Sequence, residues 1–240
     1  MEQFNQSNSP EKSSGSIISH AFEMYKGIFL YAILAIVIYI VASMIVQPVS
    51  GFDSQELVEV FSSSKDFSRI DVWSIPGLKM YYGLSGLMGI LIAPLYVGLI
   101  YIANKYNFNQ QISFSDLFIG YKQNFLNILI YSLISGIITG ISFMMCIIPG
   151  FFVMPFFLLG YPILLFENAS FSEALSKSFN IAKENYGTFL GASFLGLLIS
   201  FAGIFLCGIG ILATALFYLV VMYSAYCAFC GKPRQIDFKN

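Results

Sequence analysis

The chain has 240 residues, of which 57% are hydrophobic and 10% are charged, and its net charge is −1. Because an average globular chain carries about 25% charged residues, this composition excludes an ordinary water-soluble domain and predicts a surface that faces lipid. The lack of net positive charge argues against nucleic acid as a partner.

The N-terminal residues 1–16 are polar and rich in Ser and Asn, which predicts a disordered tail. They are not typical of a cleavable signal, because the apolar run that follows is longer than the apolar region of a signal peptide. Residues 17–231 are predicted to form a single transmembrane domain, and residues 232–240 a short cytoplasmic tail.

Four stretches contain no Asp, Glu, Lys or Arg, namely residues 27–52, 80–104, 123–166 and 185–231. A transmembrane helix needs about 20 apolar residues, so the first two stretches each fit one span and the last two each fit two spans. The sequence therefore predicts an all-α integral membrane protein with six transmembrane helices. The predicted spans are residues 28–46, 80–103, 125–145, 150–166, 188–206 and 211–227.

The positions of Lys and Arg predict how these helices cross the membrane, because cytoplasmic loops carry an excess of both. Nine of the twelve basic residues fall on one side, and Lys65, Arg69 and Lys79 fall on the other. Both termini are therefore expected in the cytoplasm. The long loop at residues 51–77 has five acidic and two basic side chains. Its net charge is therefore −3, as expected of an outer loop.

The chain also contains an internal repeat, marked by Gly89, Gly150 and Gly210, which are 61 and 60 residues apart. Pro94 and Pro155 each follow the glycine by five residues, and the third copy has Ala there. This spacing predicts three repeated hairpins, at about residues 17–104, 112–166 and 170–230, with the three glycines at equivalent depths.

A short cytoplasmic amphipathic helix is predicted before each hairpin, most clearly in the third copy. Ser170 and Glu173 form a capping-box pattern, and Phe171, Ala174 and Phe179 lie on one apolar face. Such helices either form a packing collar or bind lipid headgroups or a partner protein. The residues predicted for lipid or partner binding are Lys26, Lys122, Asn124, Lys183 and Asn185.

Helix kinks are predicted at Pro94, Pro149, Gly150 and Pro155, because proline removes a backbone hydrogen bond and clashes with the preceding turn. The kinks either shape the helix bundle or enclose a cavity. Glycines such as Gly136 and hydroxyl residues in the spans predict close helix packing.

Few residues are typical of catalytic chemistry. No predicted span contains an acidic or basic side chain or His, which argues against a proton-coupled pump or an intramembrane protease with two carboxylates. The single histidine, His20, is expected on a water-exposed helix face. Cys227 and Cys230 have the spacing of a metal site but no further ligands nearby, so we expect neither metal nor cofactor.

The segment IIPGFFVMPFFLLGYPILLFENASFSEALSKSFNIAKENYG resembles a group of prokaryotic six-helix membrane proteins. This group includes the membrane domain of some bacterial glycerophosphodiester phosphodiesterases. The resemblance covers residues 136–186 well and implies a bacterial plasma membrane and a role near lipids or a partner enzyme. It implies no catalytic residue in the membrane part.

The function expected from these observations is a non-enzymatic membrane module that binds lipid or a partner protein and supports membrane-associated machinery. The partner is a membrane protein or a second copy of the chain. The alternative is a carrier or channel for a neutral or amphipathic solute.

Overall fold

The structure, a computed structural model, describes residues 9–63, 71–145, 147–205, 209–231, 233 and 236. This part of the chain is helical, and six stretches of helix are long and apolar enough to cross a membrane. The predicted number of spans is confirmed. The six stretches are Ser14–Ser50, Leu78–Asn107, Phe125–Met145, Ile148–Phe166, Tyr186–Phe205 and Gly210–Phe229.

Several of these stretches are built from more than one helix. The α-helices are α1 (Ser14–Met44), α2 (Val46–Ser50), α3 (Ser54–Ser63), α4 (Leu78–Asn107), α5 (Ile119–Lys122), α6 (Phe125–Met145), α7 (Ile147–Val153), α8 (Gly160–Phe166), α9 (Phe171–Glu184), α10 (Tyr186–Ala202), α11 (Ile209–Thr214) and α12 (Phe217–Phe229).

The helices that precede the three hairpins differ from one another. The first is not separate, because α1 runs unbroken from Ser14 through the predicted cytoplasmic segment into the first span. The second is a 3₁₀ helix (Phe114–Phe118) followed by the single turn α5. The third, α9, is a helix of 14 residues.

The start of α9 has the capping box that the sequence predicts. The Ser170 backbone N–H donates to the Glu173 carboxylate at 2.8 Å, and the Ser170 hydroxyl accepts from the Glu173 backbone N–H at 3.4 Å. Ala174, Ser178 and Ala182 are buried, whereas Phe179 is 46% exposed. The position of α9 at a membrane surface stays a prediction.

The chain divides into two compact units, and the smaller one is Val37–Ile92. It contains the end of α1, α2, α3, a 3₁₀ helix at Val72–Ser74 and the start of α4. Gly77 has φ +72° and lies so close to the backbone of Gly51 and Phe52 that an added Cβ would clash with it. The ends of this loop therefore require glycine at position 77.

The larger unit, Met1–Ile36 with Ala93–Asn240, contains the remaining helices. In its last span, 61% of the most apolar 18-residue segment is buried, whereas in α6 only 11% of the corresponding segment is buried. The helix α12 is therefore central, and α6 exposes most of its apolar surface. The fully buried core side chains include Ile17, Ile28, Leu95, Leu99, Ile163, Leu164, Val220 and Tyr223.

The two helix breaks occur at equivalent positions of the sequence repeat. Only one of these positions is a proline. The fourth span changes to a 3₁₀ helix (Met154–Phe157) at Pro155, between α7 and α8. The sixth span breaks between α11 and α12 at Ala215, the equivalent position. By contrast, α4 continues as a helix through Pro94, and the kink expected there stays a prediction.

The glycines of the spans pack closely at some positions but not at others. A Cβ added at Gly89, Gly136 or Gly140 would meet no neighbour within 4 Å among the described residues, so these glycines do not mediate close packing inside the unit to which each belongs. Close contact occurs instead at Gly98, where the backbone of Leu117 lies against α4.

Candidate functional site

The break between α7 and α8 frees backbone groups, and side chains from α6 and α9 bind them. The Tyr131 hydroxyl donates to the Phe157 carbonyl oxygen at 3.0 Å. The Ser178 hydroxyl donates to the Phe156 carbonyl oxygen at 2.6 Å and accepts from the Leu159 N–H at 3.2 Å. Because lipid supplies no hydrogen bonds, these side chains stabilise a break that would otherwise be costly.

The break between α11 and α12 is stabilised in the same way. The Ser200 hydroxyl on α10 accepts from the Tyr218 N–H at 3.1 Å. The Thr214 hydroxyl donates to the Ser200 carbonyl oxygen at 2.8 Å. The same Thr214 hydroxyl accepts a hydrogen bond from the Gly203 N–H at 3.2 Å. These hydroxyl groups therefore do more than permit close packing, because they bind backbone groups that the helix break leaves without a partner.

A hollow of about 240 Å³ lies between α6, the first break and α12. Its wall combines hydroxyl groups with the apolar side chains of Met154, Phe157 and Met222. The hollow lies beside the break at Pro155, and an enclosure of a cavity by the proline-containing helices stays a prediction. The hydroxyl-bearing residues of the wall are Tyr131, Ser132, Ser135, Thr139, Tyr161 and Tyr218.

A separate groove of about 380 Å³ lies between α1, α10 and the α11–α12 segment. Its wall is mainly apolar, and Phe22 and Tyr25 contact Phe217 with ring centroids 4.7 and 5.4 Å apart. The exposed side chain of Lys26 also lines this groove. One of the lysines predicted for binding therefore lies beside a mainly apolar groove.

A second apolar groove, of about 500 Å³, lies between α6, the first break and α9. The rings of Phe156 and Phe179 stack in its wall with centroids 4.7 Å apart. Lys183 is exposed and follows Phe179 by four residues on α9, which places both on one face of the helix.

The other predicted site residues have different roles. Lys122 is exposed at the end of α5. The Asn124 side chain donates to the carbonyl oxygens of Leu164 and Ala169 at 2.9 and 2.7 Å, and the Asn185 side chain donates to the carbonyl oxygen of Ile181 at 3.1 Å. Asn124 thus connects distant chain segments, whereas Asn185 bonds within the last turn of α9, which it ends. A role of either side chain in lipid or partner binding stays a prediction.

The kink residues are also distributed over different environments. Pro94 and Pro155 are buried, Gly150 is buried against the ring of Phe143, and Pro149 is exposed in the first turn of α7. Pro149 therefore lies where proline is tolerated, because the first helical turn has no backbone partners to lose.

The prediction that His20 lies on a water-exposed face is wrong. His20 is 6% exposed, and its Nδ1 lies 2.9 Å from the hydroxyl oxygen of Ser224, which is fully buried. The first turns of α1 pack against α12 and cover the imidazole. Next to it, the Tyr223 hydroxyl donates to Asn104 at 3.1 Å and accepts from Asn107 at 2.9 Å.

A charged cluster joins the ends of α8 and α12 to the middle of α9. The Glu167 carboxylate forms an ion pair with Lys177 at 2.6 Å and accepts from the Tyr226 hydroxyl at 3.0 Å. Burial raises the pKa of the nearby Cys230 thiol to about 11, although Lys177 lowers this pKa. Within the described residues, no three His, Cys, Asp or Glu side chains are grouped as a metal site would require.

Sequence reasoning missed the roles of Tyr131 and Ser178 at the first break. In the sequence, each is only a polar residue within an apolar pattern. Each lies more than 20 residues from Pro155, so the local pattern does not connect it with the break. Comparison with known proteins finds no matching family model, no matching curated protein and no matching solved structure.

Proposed function

We propose that this chain is a non-enzymatic membrane module that binds anionic amphipathic lipids and supports other membrane-associated machinery. The observation that carries the proposal is the apolar groove of about 380 Å³ beside the exposed Lys26. An acyl chain fits the aromatic wall, and the ammonium group suits a negatively charged headgroup.

The charge decides which lipid this groove prefers. Lipid tails already lie in an apolar solvent, so an apolar groove by itself gains little from one tail over another. A lysine at an anionic membrane surface contributes about 1 kcal/mol. Preference for anionic lipid is therefore expected to depend on Lys26, and in the second groove on Lys183.

The proposed orientation agrees with this role. Nine of the twelve basic residues lie on the side that we assign to the cytoplasm, where the anionic lipids of a membrane attract them. Following the sequence resemblance, we place the protein in a bacterial plasma membrane. We relate it to the six-helix group that includes the membrane domain of some glycerophosphodiester phosphodiesterases.

The test is a charge reversal at Lys26. We expect Lys26→Glu to reduce co-purifying anionic phospholipid by roughly 10- to 30-fold, because it removes about 1 kcal/mol of attraction and adds a similar repulsion. Lipid bound to protein in mild detergent is measured by native mass spectrometry.

The matched control is Lys79→Glu, which reverses an exposed lysine of α4 on the side that we predict to be outside. It should leave bound anionic lipid unchanged. Equal anionic lipid in the wild type and in Lys26→Glu would show that the groove does not select lipid by charge.

The alternative is a carrier or channel for a neutral or amphipathic solute. The hydroxyl-lined hollow beside the first helix break favours it, because discontinuous helices commonly form the solute sites of transporters. Saturable solute flux into vesicles that contain the purified protein, unaffected by Lys26→Glu, would support this alternative over lipid binding.

A further inference from the structure

We propose that the hydroxyl-lined hollow beside the Pro155 break is a binding site for a small, uncharged solute that donates hydrogen bonds, such as a short polyol. The site is distinct from the two apolar grooves, and it does not depend on lipid binding. The proposal concerns binding, whether or not the solute crosses the membrane.

The hydrogen-bond geometry of the wall determines what the solute must supply. The hydroxyl of Tyr131 donates to the Phe157 carbonyl oxygen, and that of Ser135 donates to the Tyr131 carbonyl oxygen at 2.7 Å. The hydroxyl of Tyr218 donates to the hydroxyl oxygen of Ser193 at 3.4 Å. Since these hydrogens are used inside the protein, their oxygens offer lone pairs to the hollow. A bound molecule gains most by donating O–H or N–H groups to them.

The composition of the wall determines the charge of the solute. Ten residues line the hollow in the described structure, and none of them is Asp, Glu, Lys, Arg or His. A charged ligand in an apolar surrounding needs an opposite charge or it pays a large desolvation penalty. An uncharged solute avoids this penalty, and its hydroxyl groups replace the hydrogen bonds that it makes in water.

The volume determines the size of the solute. About 240 Å³ equals the liquid volume of about eight water molecules, which suits a small polyol but not a phospholipid. The side chains of Met154, Phe157 and Met222 supply an apolar surface for its carbon skeleton. The hollow therefore combines acceptors for hydroxyl groups with contacts for carbon.

The decisive variant adds apolar volume at the wall of the hollow, at a position where an added Cβ clashes with none of the described residues. A Cβ at Gly136 meets no neighbour within 4 Å, so Gly136→Leu places its side chain in the open space of the wall. Gly140 is one turn further along α6, is equally open and does not line the hollow. Gly140→Leu is therefore the matched control for helix propensity and added apolar volume.

The binding experiment uses purified protein in lipid nanodiscs and three probes of similar size. Erythritol is uncharged and donates, erythronate is its charged counterpart, and 1,4-dimethoxybutane accepts but does not donate. Binding is measured by saturation-transfer NMR titration. We expect saturable binding of erythritol to the wild type and to Gly140→Leu, and at least tenfold weaker binding to Gly136→Leu. Erythronate and the ether should each bind at least tenfold more weakly than erythritol.

A second variant keeps the test decisive if Gly136→Leu does not fold. Thr139→Val retains the side-chain shape and removes one wall hydroxyl, and it should weaken erythritol binding about three- to tenfold. Absence of saturable erythritol binding to the wild type would overturn the proposal. Equal binding to Gly136→Leu, or equal binding of erythronate, would overturn it as well. Both variants should retain as much anionic lipid as the wild type does. Failure of the solute proposal is therefore distinguishable from failure of the lipid proposal.

Discussion

Single hydroxyl groups hold the two helix breaks in place, and Ser178 is the clearest example. Its side chain is fully buried and bonds both Phe156 and Leu159 of the first break. We expect Ser178→Ala to lower the stability by about 1–3 kcal/mol, because it leaves buried backbone groups without this partner. The measurement is the thermal unfolding midpoint in a defined detergent.

The control for this prediction is Ser176→Ala, which removes an exposed hydroxyl two residues away on the same helix. Its midpoint should equal that of the wild type. If Ser178→Ala also unfolds at the wild-type midpoint, the break has another source of stability, and the assigned role of the Ser178 hydroxyl is wrong.

His20 shows how a single residue can contradict its sequence context. A lone histidine in a segment with charged neighbours is more commonly exposed, and nothing in the local pattern indicates otherwise. Its partner Ser224 lies 204 residues away in the sequence. Only the packing of α1 against α12 brings the two side chains together, so no rule based on neighbouring residues predicts the pair.

At the scale of secondary structure, the capping box makes the start of α9 sensitive to pH. Hydrogen bonds from the backbone N–H and the hydroxyl of Ser170 hold the pKa of Glu173 below its ordinary value of 4.5. A lowered folded-state pKa means that the carboxylate stabilises the helix fully above pH 4.5. This contribution is lost as the pH falls through the lowered pKa.

We therefore expect amide hydrogen exchange in the first turn of α9 to become faster, relative to the rest of the helix, as the pH is lowered below 4.5. Glu173→Gln should remove this pH dependence, whereas Glu184→Gln at the other end of α9 should retain it. Hydrogen exchange followed by mass spectrometry measures both variants. The same pH dependence in Glu173→Gln would contradict the assignment to this carboxylate.

The breaks in the fourth and sixth spans show that proline is one route to a discontinuous helix but not a requirement. Pro155 accompanies the first break, and Ala215 occupies the equivalent position of the second. In the second case Ser200 supplies the acceptor for the Tyr218 N–H. Conversely, Pro94 is accommodated within α4, which shows that proline alone does not decide where a helix in this chain breaks.

At the scale of the whole molecule, the orientation in the membrane is the prediction that most constrains function. Cysteines are introduced at Ser62 and Ser115 in a background without native cysteines, and intact cells are treated with a maleimide that does not cross the membrane. We expect labelling of Ser62→Cys and protection of Ser115→Cys, because the basic residues favour a cytoplasmic position for the latter.

Permeabilised cells provide the control, since both positions are exposed in the structure and should then react. Labelling of Ser115→Cys in intact cells, with protection of Ser62→Cys, would reverse the topology. The lysines of the proposed lipid grooves would then face the outer side, and the case for binding lipids of the anionic inner leaflet would fail.

The equivalence of the three hairpins stays a prediction. The spacing of the repeated glycines matches the positions of the breaks in the second and third copies. Gly150 is buried against Phe143, whereas Gly89 has open space around it. The glycines that mark the proposed repeat therefore differ in their packing.

The sequence by itself determined that the chain has six helical stretches long and apolar enough to span a membrane, where most of them begin and end, and that α9 starts with a capping box. These features are local, because the cost of placing a charge or an unpaired backbone group in lipid acts on each segment separately. The same local reasoning predicted a helix kink at Pro155, which lies in the 3₁₀ helix where the fourth span breaks.

The tertiary structure decided which groups meet. Ser178 reaches Phe156 across 22 residues, Thr214 reaches Ser200 across 14, and the hollow combines side chains from α6, α8 and α12. Hydrophobic patterns describe which face of a helix is apolar but not which helix covers it. The candidate site for a polar solute therefore became visible only once the helices were packed, since its hydrogen-bonding groups come from segments that are distant in the sequence.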